Sequence, residues 1–189
     1  MFHSVLGVRA GVLDAAKRLK DAGHEVLVVD QYDRRVFDDY EEAAEYSHSI
    51  GFPLLMKKAG QAVKHLPDGF VVLGFSNGAG MAEYVTTRRP VSGAVLIAGV
   101  LPVEELGAEP WPRGVPAQLH CTDGDRMRRH DWLHRFVIEA YDAHAGVEVF
   151  DYPGSGHLFT DPSLPDEYDA AATEQVWERA IHFVGRVSS

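Results

Sequence analysis

The 189-residue sequence predicts an α/β fold, a mostly parallel sheet of about six strands flanked by helices. Three observations lead there. Short apolar, β-branched runs alternate with amphipathic segments along the whole chain. Gly or Pro punctuates most of the junctions between them. With 46% hydrophobic and 24% charged residues, the chain has apolar material enough to cover both faces of such a sheet in one globular domain.

The first helix is expected over Val12 to Ala22, where Val12, Ala15, Ala16 and Leu19 recur at helical spacing and Gly23 stands just past the end. Glu25 to Asp30 reads as a short apolar strand. Helix covers much of Tyr40 to Leu66, broken near Gly51 to Pro53. The apolar run from Phe70 is the next strand, and Ala79 to Thr87 the helix after it. Gly93 to Val100 forms a buried strand, a Pro-rich loop runs to Pro116, and Ala117 to Thr122 is a strand again. A helix over about Asp131 to His144, a last strand over Val147 to Tyr152 and a closing helix from about Ala170 to Val187 follow. At the start, Met1, Phe2 and His3 lead straight into a turn over Ser4 to Gly7, and three residues span only about 10 Å when extended. The N-terminal strands are therefore expected to be missing or truncated, with the natural start upstream of Met1 or the gap filled by other means, such as a partner chain.

A formal net charge of −10 at pH 7 argues against binding nucleic acid or an anionic membrane surface and points to a small-molecule partner. Cys121 is the only cysteine, so no intrachain disulfide forms. The opening residues carry no signal-like segment, and the longest apolar run, Gly93 to Val103, is interrupted by Pro102 and is far shorter than the roughly 20 residues of a membrane helix. A cytoplasmic monomer or homodimer is expected.

The chemistry is concentrated where the strand from Phe70 ends in Gly74-Phe75-Ser76-Asn77-Gly78, a G-x-S-x-G pattern that opens a helix. Such a strand-to-helix turn holds the serine in a strained backbone conformation with its hydroxyl above the sheet, and the glycines leave room where helix and strand nearly touch. It also aims the Asn77 N–H and the helix N-terminus at the space where an acyl oxyanion would form. The spacing of Gly74, Gly78 and Gly80 is wrong for a dinucleotide fingerprint.

A serine nucleophile needs a base, and the base an acid to orient it. Downstream of Ser76 the chain offers Asp125 in the loop after Gln118 to Thr122, then His157 in the Gly-flanked loop Pro153 to His157 after the last strand. Asp123 competes in the same turn, and Asp125 is preferred because the extra loop residues let it reach the histidine. No metal site is expected. His130 and His134 share a helix face without the H-E-x-x-H pattern or a third ligand, and the neighbours His120 and Cys121 point to opposite sides of a strand. Mid-strand Cys121 reads as a small buried hydrophobe.

Together, Gly74 to Gly78, the Asp125 loop, and Tyr152-Pro153-Gly154-Ser155-Gly156-His157-Leu158-Phe159 followed by Asp161-Pro162 resemble the dienelactone hydrolase family of α/β-hydrolases. His3 to Val8 and Val29 to Asp33 are similar to that family's segments too, so the resemblance covers nearly the whole chain. It implies an α/β-hydrolase fold, and an oxyanion hole formed by the Val5 and Asn77 backbone N–H groups. In that family the enzymes that open dienelactones use a cysteine nucleophile and hold the substrate carboxylate with arginines. This chain has Ser76 instead, and Arg34 and Arg35 are the arginines nearby in sequence, not assigned to those positions.

The sequence thus points to a serine hydrolase acting on a small carboxylic ester, thioester or lactone through an acyl-enzyme, with no cofactor. Tyr32, Trp111 and Phe159 are candidate pocket walls. The competing reading is a non-catalytic binding or scaffold protein that retains the hydrolase fold.

Overall fold

Residues 1–107 and 110–188 are described by a computed structural model. Its centre is a four-stranded, all-parallel sheet in the order β1-β2-β3-β4, formed by Phe70–Phe75, Val91–Ile97, Ala117–Thr122 and Val147–Tyr152. Six helices accompany it: α1 Ala10–Asp21, α2 Tyr40–Ile50, α3 Phe52–Ala62, α4 Asn77–Thr86, α5 His130–Asp142 and α6 Ala170–Val187. The expected break near residue 51 is the α2–α3 junction, where Gly51 adopts φ 85°. α2 starts on Asp39, whose carboxylate accepts the Glu42 N–H at 2.9 Å, and α6 starts in the same way on Asp169 and Ala172.

The strand count of about six is corrected to four. Glu25 to Asp30 does not form a strand. Val29 makes one isolated parallel bridge to Phe2, and Phe2 makes another to Gly74. Phe2 donates its N–H to Leu73 O at 2.8 Å, while its carbonyl accepts the Phe75 N–H at 3.1 Å. This position between Val29 and β1 is thus filled by a single fully buried residue, and β-propensity in 25–30 has no ladder to extend along.

Consecutive residues of β1 show how the two faces are covered. A Cβ on Gly74 would lie 2.0 Å from the Gly78 carbonyl oxygen of α4, whereas Phe75 packs its ring 6.4 Å from that of Trp177 on α6. Neighbouring strand residues point to opposite faces, so α4 and α6 sandwich the sheet. Leu73, Val95, Leu96, Ile97 and Leu119 are buried between them. Among the described residues no helix is long and apolar enough to cross a membrane.

Candidate active site

Ser76, Asp125 and His157 each stand in a segment that leaves the carboxyl end of a parallel strand, β1, β3 and β4 in turn. Ser76 itself, between β1 and α4, has φ 50° and ψ −115°, a strained conformation for a residue with a Cβ. Its N–H donates to Ile97 O at 2.7 Å, tying the turn to β2. The glycines on either side are sterically required. A Cβ at Gly78 would come within 2.4 Å of the carbonyl oxygens of both Phe2 and His3, and the Gly74 contact on the other side of the turn is tighter still, at 2.0 Å.

Asp125 and His157 come from the loops after β3 and β4. His157 Nε2 is 2.7 Å from Ser76 Oγ, and His157 Nδ1 is 2.6 Å from Asp125 Oδ2. The second Asp125 oxygen accepts the Met127 N–H at 2.8 Å. Burial disfavours ionisation of Asp125, but the His157 hydrogen bond, the Met127 N–H and the Arg128 charge outweigh it and hold the carboxyl below its usual range. An ionised Asp125 can only accept, so His157 donates to it from Nδ1, and in the neutral imidazole that tautomer leaves Nε2 to accept from the serine hydroxyl. Asp123, the competing carboxylate, is exposed and instead accepts the Gly154 N–H at 3.2 Å, fastening the histidine loop to the aspartate loop.

Other contacts hold His157. Thr122 Oγ1 donates to Gly156 O at 2.8 Å, and Glu167 accepts the Leu158 N–H at 2.6 Å and the Tyr40 hydroxyl at 2.9 Å. The Tyr40 ring lies edge-on to the imidazole, with centroids 6.2 Å apart. Glu167 and Tyr40 escape a reading of the sequence because neither belongs to a local pattern; only the fold brings them to the histidine.

A cleft of about 470 Å³ opens in front of Ser76, within the range of small-molecule sites. Val5, Asn77 and His157 border it, and no hydrogen bond among the described residues uses the N–H of Val5 or of Asn77. The candidate walls Tyr32, Trp111 and Phe159 are corrected, since none lines the cleft. Each is buried in the core, Trp111 against Phe136 and Phe159 against Tyr152, because large rings gain most by full burial. The walls are Phe52, Leu101, Trp132 and Leu133, from the start of α3, the loop after β2, and α5. Gly80 lets two of them in, as a Cβ there would meet Leu101 at 2.8 Å and Phe52 at 3.1 Å.

Two carboxyls anchor the wall loop. Glu83 of α4 accepts the Leu101 N–H and Glu139 of α5 accepts the Val103 N–H, both at 2.9 Å. Glu83 is fully buried. Burial pushes its pKa well above the usual range, with the Leu101 N–H opposing and the Glu139 charge adding to the rise. Cys121 also borders the cleft, but burial raises its thiol to about 11, so it is not a thiolate at neutral pH.

A parallel sheet sandwiched by helices, with a strained serine at a strand-helix turn and two later loops meeting it, is the architecture of an α/β-hydrolase. The model of the dienelactone hydrolase family matches residues 1–188, and the chain belongs to that family of ester-type hydrolases. Comparison with curated proteins finds no sequence match. Among solved structures, the chain is similar to P91, a dienelactone hydrolase-like promiscuous phosphotriesterase from metagenomic libraries, with TM-score 0.81 and 18% identity over 98% of this chain and 84% of that one. It is also similar to MGS-M1, an α/β-hydrolase from a Medee basin deep-sea metagenome library, with TM-score 0.70 and 16% identity over 100% and 84%. A carboxylesterase of Bacillus cereus gives TM-score 0.59 and 16% identity over 98% and 85%. At these identities the likeness is one of fold.

Proposed function

We propose that the protein is a serine hydrolase that cleaves small carboxylic esters, thioesters or lactones through an acyl-enzyme on Ser76. The observation that carries this reading is the continuous hydrogen-bonded row from Ser76 Oγ through His157 to Asp125, with links of 2.7 and 2.6 Å. As Ser76 Oγ attacks the substrate carbonyl, its proton passes to His157 Nε2, and Asp125 stabilises the imidazolium. The carbonyl π electrons move onto oxygen, and the Val5 and Asn77 N–H groups receive that oxyanion. Each such donor is worth about 3 kcal/mol of transition-state stabilisation. Collapse breaks the bond to the leaving group, which takes the proton from His157 and departs as an alcohol or thiol, or stays tethered when the substrate is a lactone. Water then gives a proton to His157 and attacks the acyl carbon. The second collapse releases the carboxylic acid and returns the proton to Ser76.

This route needs no cofactor. The test is fluorophosphonate labelling read by intact mass and peptide mapping, beside hydrolysis of a short p-nitrophenyl ester. One label per chain on Ser76, lost in Ser76→Ala together with the activity, supports the reading. Turnover by an unlabelled chain, or a label elsewhere, overturns it.

A further inference from the structure

The charges around the cleft suggest which esters enter it. Two cations line it, Arg128 and Arg129. Arg128 is paired through its terminal nitrogens, with Nη2 2.8 Å from Asp151 and Nη1 3.4 Å from Thr122 O, while its buried Nε has no hydrogen-bond partner among the described residues; the side chain is only 7% exposed. Arg129 spans Asp131 with bonds of 3.1 and 3.0 Å and lies 4.5 Å over the Trp132 ring. Arg34 and Arg35 do not border the cleft; Arg35 stacks on Tyr46.

Negative charge remains. Glu105 is exposed at the cleft and has no ion pair among the described residues, the neighbouring Glu104 being the one that pairs with Arg135. Asp125 is ionised behind His157, and the chain as a whole carries −10. A carboxylate entering the cleft would therefore meet two arginines that already face Asp151 and Asp131, an unpaired glutamate and a repulsive overall field. By contrast, Phe52, Leu101, Trp132 and Leu133 offer continuous apolar surface.

Building on the serine hydrolase reading above, we propose that this cleft selects uncharged esters with an apolar acyl chain of several carbons, and discriminates against acyl groups that end in a carboxylate. The substrate class thus departs from the carboxylate-bearing lactones that the family resemblance implies.

The test compares kcat/KM for p-nitrophenyl hexanoate and for the mono-p-nitrophenyl ester of adipic acid, equal in chain length and different in terminal charge. The hexanoate is expected to be preferred by about 10-fold or more, and the gap to narrow between roughly 10 mM and 500 mM NaCl as the charges are screened. Glu105→Lys is expected to raise adipate turnover relative to hexanoate several-fold. An adipate ester hydrolysed as well as the hexanoate, or a gap that neither salt nor Glu105→Lys moves, overturns this inference. So does adipate turnover that falls selectively in Arg129→Ala, since Arg129 would then leave Asp131 to hold the carboxylate. If such results come from a chain that fluorophosphonate labels at Ser76, only the substrate class fails. A chain that hydrolyses neither ester and takes no label overturns the serine hydrolase reading and this inference with it.

Discussion

The serine side and the histidine side of the site are built by different means. Around Ser76 geometry comes from the backbone: a positive φ, two glycines without room for a Cβ, and the first turn of α4, all within five residues. Around His157 it comes from side-chain hydrogen bonds between segments far apart in sequence, Asp125 at a separation of 32 residues and Ser76 at 81. The first kind of site fails when a methyl group is added. The second fails when a donor or acceptor is removed, and it offers more partial failures.

The sharpest break is at the atoms themselves. In the proposed mechanism Ser76→Ala lowers kcat for a short p-nitrophenyl ester by about 10⁴-fold or more and leaves thermal unfolding near the wild type. On the base side, Asp125→Asn is expected to cost up to about 10⁴-fold by favouring the wrong imidazole tautomer, while Asp123→Asn costs only a few-fold. The two variants assayed together decide between the carboxylates, and a crippled Asp123→Asn beside a mild Asp125→Asn would refute the assignment.

Gly78→Ala sharpens the contrast, because it deletes no functional atom. The added methyl meets two backbone oxygens at 2.4 Å, which cannot swing aside as a side chain would. It is expected to destabilise the fold by about 3 kcal/mol, measured by urea denaturation, and to lower activity further by displacing the turn. Tyr40→Phe, which removes only the bond to Glu167, is expected to lower kcat by a few-fold with KM nearly unchanged. Glu167→Gln, still able to accept from Leu158 and donate to Tyr40, should behave like the wild type in the same assay.

The smallest effect concerns Glu83, which anchors the cleft wall. Its folded-state pKa lies above that of the unfolded chain, so in the window above pH 4.5 the folded state holds a proton that the unfolded state has released. Stability from this group is complete below that window and is lost as the pH rises. Glu83→Gln removes the titration. Melting curves from pH 5 to pH 9 should show the wild type losing several degrees relative to the variant, and parallel curves would mean that Glu83 is ionised in the fold.

Much of the architecture is legible in the chain because it depends on short-range pattern. The strands Ala117–Thr122 and Val147–Tyr152 and the helix Ala170–Val187 stand where alternation and helical spacing place them. The segment 25–30 is richer in β-branched residues than either of those strands, yet beyond two hydrogen bonds with Met1 it makes only the Val29 bridge, since a strand needs a neighbour along its length and Phe2 supplies one residue of it. The aromatic residues mislead for a related reason. A Trp or Tyr in a loop can face a pocket or the core, and Tyr32, Trp111 and Phe159 all went to the core.

From the sequence alone came the elements that repeat over a few residues and the turn at Ser76, whose glycines announce a close approach before any partner is known. Asp125 and His157 could be proposed from their order and their positions after strands, but their meeting with Ser76 depends on three loops at one end of the sheet. The cleft's walls, the ion pairs of Arg128 and Arg129, the raised pKa of Glu83 and the Tyr40–Glu167 contact with the histidine loop were decided by tertiary structure. Each depends on the distance and burial between groups many residues apart, and local sequence carries neither.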